Sequence, residues 1–214
     1  MSTIVPTVLA STPEDYKASL ERVHTFTNRI HVDFSDGSFA PNKTIAVNQI
    51  WWPQQWQTDI HAMVADPGQY VDLLISMKPS LIIFHAEVQI DLAPVLKKVR
   101  DSGIKVGIAL MRSSVPADYA THIENVDHVM VFSGDLGNYG GTASMMQLEK
   151  IRMIKNINSG LEIGWDGGVA TENAFSLSQG GVDVLNTGGA IQKAQDPKAA
   201  YDALVKEVSK QGAV

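Results

Sequence analysis

Apolar residues in this chain fall into short runs separated by longer stretches of mixed character, and the two have different periods. Eight runs read as strands: residues 4–9, 29–34, 58–64, 81–86, 105–110, 128–133, 161–165 and 182–187. They are rich in Val and Ile and are closed by Gly, Asp, Ser or Pro, which favour turns. The intervening stretches carry helix signals. Ser11-Thr12-Pro13-Glu14-Asp15 supplies a cap, an early proline and acids in the first turn. Asp66-Pro67-Gly68 opens another helix, with Tyr70, Val71, Leu74 and Ile75 at helical spacing. Residues 90–102 carry Leu92, Val95, Leu96 and Val99 and stop near Gly103, and residues 144–158, 171–179 and 196–210 read the same way. The stretch 45–56 is ambiguous, because Pro53 interrupts it.

Alternating strands and helices imply a parallel sheet with right-handed crossovers. Eight such units in a chain of 214 residues predict an α/β fold, a single-domain (β/α)8 TIM barrel spanning residues 1–214. The other architecture of this pattern, an open doubly wound sheet, normally has a glycine-rich first turn. Here that turn is Leu9-Ala10-Ser11-Thr12-Pro13, without glycine. No linker or low-complexity stretch divides the chain, and the glycine-rich residues 134–141 read as an active-site loop.

Composition narrows the partners. A formal net charge of −6 argues against a nucleic-acid binder, which needs a basic face. It leaves room for a phosphorylated substrate, because backbone N–H groups can hold phosphate without net positive charge. With no cysteine there is no disulfide, thiolate metal site or cysteine nucleophile. The N-terminus has no basic segment followed by a long apolar run, and no apolar stretch reaches the ~20 residues that span a bilayer. These features fit a cytoplasmic protein with no membrane partner. Trp51, Trp52 and Trp56 suggest either a patch for homo-oligomer contact or, preferably, a helix packed on the barrel.

The chemistry lies at strand ends. His31 and Asp33 are two residues apart, so on a strand they share a face, while Ile30, Val32 and Phe34 take the other. The apolar trio suits the helix-facing side, which points His31 and Asp33 inward. His61 has the same setting between Ile60 and Ala62. Asp166 ends its strand just before Gly167-Gly168, a catalytic address in a barrel. A lone inward His is more often a hydrogen-bonded core residue, and a lone strand-end Asp often caps a helix. Four together at one rim are hard to explain as filler, because two neighbouring buried carboxylates are costly without compensation. One divalent transition metal would supply it, and two N with two O donors suit Zn, Fe, Mn or Co better than Mg or Ca. His85 is expected beside this set or facing the substrate, near Glu87, and Asp36 reads as a turn residue before Gly37.

Glycines form a second constellation. Gly137, Gly140 and Gly141 follow the sixth strand, Gly167 and Gly168 the seventh, and Gly188 and Gly189 the eighth. Barrels build phosphate sites from the loops after the last two strands.

Together these residues resemble the ribulose-phosphate 3-epimerase family over nearly the whole chain. His31-Val32-Asp33-Phe34-Ser35-Asp36-Gly37-Ser38-Phe39-Ala40-Pro41-Asn42 is similar to its H-V-D-x-M-D-G-x-F-V-P-N. Asp59-Ile60-His61-Ala62-Met63-Val64 resembles D-x-H-L-M-V, and Phe84-His85-Ala86-Glu87 resembles F-H-x-E. Asp166-Gly167-Gly168 and Gly188-Gly189-Ala190-Ile191 match the last two motifs. The resemblance implies a metal held by His31, Asp33, His61 and Asp166, with Asp33 and Asp166 as acid and base on opposite faces of the substrate. It implies inversion of C3 of a ketose phosphate, by default D-ribulose 5-phosphate, through an enediolate whose charge the metal stabilises. Thr7, His61 and the glycines become substrate-binding residues.

The departures fall on the substrate side. Ser35 replaces a methionine, Thr7 a serine, and Phe132 another methionine, while residues 134–142 form a loop one residue longer than the family's V-N-P-G-F-G-G-Q. Methionines line the family's reacting centre, so Ser35, Met63 and Phe132 are assigned to selecting the substrate. A hexulose 6-phosphate epimerase and a non-catalytic sugar-phosphate-binding paralogue are the alternatives. Related synthases and decarboxylases carry Asp-x-Lys-x-x-Asp, and this chain has no lysine at that strand.

Overall fold

A computed structural model describes residues 2–210. Eight strands close into a barrel in the order of the sequence, each parallel to its neighbours: β1 Thr3–Val8, β2 Arg29–Ser35, β3 Gln57–Met63, β4 Leu81–His85, β5 Lys105–Leu110, β6 His128–Phe132, β7 Glu162–Asp166 and β8 Val184–Thr187. Pairing of β1 with β8 (Val5 opposite Asn186) closes the circle. Around it stand α1 Pro13–Val23, α2 Val71–Ser76, α3 Ala93–Asp101, α4 Ala120–Ile123, α5 Leu148–Ile157, α6 Thr171–Gln179, α7 Gly189–Gln192 and α8 Pro197–Val208.

Strand alternation sorts the residues into two layers. Ile30, Val32 and Phe34 of β2, Ile60 and Ala62 of β3, Ile82 and Phe84 of β4 and their counterparts join the helices in one core. A smaller inner cluster, with Leu81, Ile83, Ala109, Met130 and Phe132, fills the barrel. The inward positions of β2, Arg29, His31 and Asp33, therefore carry the polar residues.

The expected alternation fails after β2. Residues 45–56 contain only a 3₁₀ turn, Val47–Gln49, because Pro53 removes a helix donor within a short connection. The tryptophans thus pack no helix there. Trp56 is buried in the core, while Trp51 is half exposed with its ring edge against Tyr16. Two short helices fall where the apolar pattern gives no signal. α4 follows a 3₁₀ turn at Pro116–Tyr119, and α7 is a single turn after Gly188. Strand ends shift by a residue or two, most at β8, which begins at Val184. No helix among the described residues is long and apolar enough to cross a membrane.

The N-terminal mouth is closed by charge. Arg29 of β2 donates to Asp59 of β3 at 2.9 Å and to both oxygens of Glu162 of β7 at 3.1 and 3.0 Å. Glu162 also accepts from His128 Nδ1 of β6 at 2.9 Å. Four strands are tied at one level.

Candidate active site

At the C-terminal mouth, the strands bring His31, Asp33, His61 and Asp166 together. One donor atom from each lies within 4.8 Å of all the others. His61 Nδ1 is 2.9 Å from Asp33 Oδ1 and 3.9 Å from Asp166 Oδ2, while His31 Nε2 is 3.4 and 4.0 Å from the same two oxygens. The register explains the meeting. Asp33 lies opposite His61 across β2 and β3, and Asp166 closes β7. Both histidines are fully buried, and neither ring nitrogen of His31 makes a hydrogen bond. A buried imidazole without a partner is costly. Two imidazole nitrogens and two carboxylates at this spacing fit a divalent cation such as zinc.

Burial opposes ionisation of Asp33, but the neighbouring His31 and His61 overcome it and hold the carboxyl well below the usual range. Burial and then the Asp33 charge push Asp166 up to about 6. Burial works against protonated His31 as well, yet Asp33 and Asp166 raise it above the ordinary imidazole value. So without a cation the cluster retains protons, and metal must displace them. The rise in Tm on adding zinc is therefore expected to be small at pH 5 and to grow up to pH 7, measured by scanning calorimetry. A pH-independent rise would locate the zinc elsewhere. Stability of the metal-free protein has the opposite sign at Asp166. Its folded pKa lies above the unfolded 3.8, so its contribution falls as pH rises from about 4 to about 6. The difference between wild type and Asp166→Asn isolates that term.

His85 lies behind His61. Their Nε2 atoms are 2.9 Å apart, and His85 Nδ1 is 3.3 Å from Glu87 Oε2. Glu87 is fixed by the Met111 N–H at 2.7 Å and by the Ser114 hydroxyl. Burial pulls His85 down to about 4 despite Glu87, so it is neutral at pH 7. His85 donates Nδ1–H to Glu87 and accepts Nε2–H from His61, whose Nδ1 in turn meets Asp33 Oδ1 at 2.9 Å. The His85 contact fixes the His61 ring with Nδ1 turned to the cluster, the orientation that a metal ligand needs. Phe39 stacks on His85 at 4.5 Å, and Phe132 meets it edge-on at 5.6 Å. Asp36 is a turn residue, as expected, accepting from the Ser38 N–H at 2.8 Å and from the Tyr70 hydroxyl at 2.9 Å.

A cavity of about 60 Å³ opens beside the cluster. Thr7, Asp33, Met63, Phe132 and Asp166 line it, as do Gly137, Gly140, Gly167, Gly168, Gly188 and Gly189. Ser35 is buried nearby, but its hydroxyl accepts from the Gly37 N–H at 3.2 Å and is not on the cavity wall. Gly141 is also off the wall, packed on Gly134. The glycines have a packing role as well. Gly167 and Gly168 have φ of +105° and +70°, and a Cβ on either would strike the backbone of the 134–143 loop. That loop is fastened over the cavity. The Tyr139 hydroxyl accepts from Leu9 N–H at 2.7 Å, Asn42 donates to the Gly137 carbonyl at 3.2 Å, and Arg112 donates to the Gly134 carbonyl at 2.7 Å. The Tyr139 ring covers Gly188. Tyr139 and Asn186 are among the cavity residues that the sequence reading did not assign. Tyr139 was hidden among loop glycines, and Asn186 sits in a strand whose polar inward position was the available signal.

Fold and site define the class: a (β/α)8 enzyme with an acid–base and metal-capable cluster at the C-terminal rim. The profile of the ribulose-phosphate 3 epimerase family matches residues 3–192, and the chain belongs to that family. It is an isomerase acting on carbohydrates. Ribulose-phosphate 3-epimerase of Helicobacter pylori (strain ATCC 700392 / 26695) is 30% identical over 210 residues, covering 94% of this chain and 95% of the relative. The Schizosaccharomyces pombe enzyme of the same name is 26% identical, covering 97% and 94%. Among solved structures, 3-hexulose-6-phosphate synthase from Salmonella typhimurium superposes with TM-score 0.73 at 15% identity, covering 97% of this chain and 98% of that one. That likeness concerns the fold.

Proposed function

We propose that this chain is a metal-dependent epimerase that inverts C3 of a ketose phosphate, with D-ribulose 5-phosphate the default substrate and D-xylulose 5-phosphate the product. The cluster of two buried carboxylates and two buried imidazoles, with His31 lacking any other partner, is the observation that carries this reading. His31, Asp33, His61 and Asp166 would hold the cation. When bound, it offsets the negative charge that develops as the carbon beside the ketone loses its proton.

The chain's own residues do the rest. Asp33 on β2 and Asp166 on β7 stand on strands separated by β8 and β1, so they approach a substrate from two sides. One aspartate removes the C3 proton to give the enediolate, and the other returns a proton to the opposite face, which inverts the carbon. His31 and His61, deep in the barrel, fix the carboxylates. The Gly167-Gly168 and Gly188-Gly189 turns, with Gly137 and Gly140, support a phosphate grip. Met63 and Phe132 are apolar walls that keep water from the reacting carbon. A cytoplasmic setting is part of this reading, and one rice relative is named a cytoplasmic isoform.

Solvent-deuterium incorporation across a panel of ketopentose and ketohexose phosphates is the test. The expected result is one deuterium at C3 with the pentulose phosphate, together with about one transition-metal ion per chain by elemental analysis. Preferred exchange into a hexulose phosphate would move the substrate assignment to the longer sugar. No exchange with any ketose phosphate would overturn the epimerase reading in favour of a binding paralogue.

A further inference from the structure

Asp33, Thr7, Asn186 and Asp166 occupy four consecutive strands, β2, β1, β8 and β7, and all line the cavity. Thr7 and Asn186 thus fill the arc between the two aspartates. Asn186 lies opposite Asp166 in the β7–β8 register and two residues before Gly188. Both side chains are 2% exposed. Both also present an unpartnered oxygen: Thr7 Oγ1 and Asn186 Oδ1 make no hydrogen bond. The Asn186 amide nitrogen reaches only Met130 Sδ, at 3.3 Å, a weak acceptor.

Buried amide and hydroxyl oxygens left without a donor are uncommon and costly, and a wall of a ligand site is where they persist. The neighbouring inward positions show that the barrel has an apolar solution here. Val184 and Met130 are buried and carry no such group. An amide therefore serves something that enters the cavity. The cation is already matched by His31, His61 and the two carboxylates, and a phosphate repels a carbonyl oxygen. What remains is a hydroxyl donor on the carbon chain between the reacting centre and the phosphate turns.

We propose that Asn186 is a specificity-determining residue that accepts a hydrogen bond from a substrate hydroxyl. The inference rests on the ketose-phosphate reading and names the hydroxyl that site selects. A polyhydroxylated ketose phosphate is recognised, and its analogue lacking the C4 hydroxyl is rejected because Asn186 is left unpaired.

The test is a two-by-two comparison: wild type and N186V, each with D-ribulose 5-phosphate and its 4-deoxy analogue. Affinity is read by calorimetry on metal-loaded protein and turnover by deuterium incorporation. Wild type is expected to bind the hydroxylated sugar about ten-fold more tightly than the deoxy analogue, and N186V to lose that preference. N186A repeats the measurement if N186V does not fold, and elemental analysis checks that the metal is retained. An equal loss for both sugars, or none, overturns the role of Asn186 while leaving the epimerase reading intact. Discrimination in binding without any deuterium incorporation supports Asn186 and overturns epimerisation. Absence of binding by the wild type overturns both.

Discussion

Replacing either Asp33 or Asp166 with asparagine is expected to lower the rate of C3 inversion by about 10²–10⁴-fold while the barrel stays folded. The amide keeps the shape and an oxygen but cannot carry the proton. If each aspartate serves one face, as proposed, the two variants should fail differently. Each loses inversion, yet the surviving carboxylate can still exchange the proton of the epimer it faces. Deuterium wash-in followed separately from the two epimers, with metal content measured in parallel, distinguishes lost proton transfer from a lost ion. Full inversion by both variants would sink the two-aspartate mechanism.

The second large effect is on stability and lies at the other mouth. Arg29→Met is expected to destabilise the fold by about 3–5 kcal/mol, the usual cost of removing one partner from a buried ion cluster. The arginine side chain is 18% exposed, and it neutralises Asp59, which is 3% exposed, together with Glu162. The same substitution strands Asp59 and weakens ties among β2, β3 and β7. Methionine keeps the packing of the stem, so the loss reports charge rather than volume. Denaturant unfolding at pH 7 measures it. Activity per folded molecule should be unchanged, because Arg29 sits four residues below the Asp33 level. A change under 1 kcal/mol would mean that water replaces the guanidinium.

What was legible in the sequence follows from these same two mouths. Alternation alone separated inward His31 and Asp33 from outward Ile30, Val32 and Phe34, so both the barrel and its metal-capable cluster could be read before any coordinates. The single-turn helices α4 and α7 could not be, since four residues carry too little apolar period. Residues 45–56 illustrate the converse: tryptophans suggested a packed helix, and Pro53 prevented it. Asn186 is not legible because a lone amide within Val184-Leu185-Asn186-Thr187 carries no motif, and its meaning depends on facing a cavity. The hydrogen-bonded pair His61–His85 has a similar lesson. Both residues were visible, but their pairing emerges only from the 2.9 Å contact.

The fastening of Tyr139 to Leu9 has a consequence for measured affinities. If seating a sugar phosphate in the space of about 60 Å³ beneath it requires the 134–143 loop to lift, only molecules with the loop raised can bind. The observed dissociation constant is then the intrinsic one divided by the raised fraction. Two homologous barrels with identical contacts to the same sugar can therefore differ in apparent strength solely through how often one tyrosine lets go.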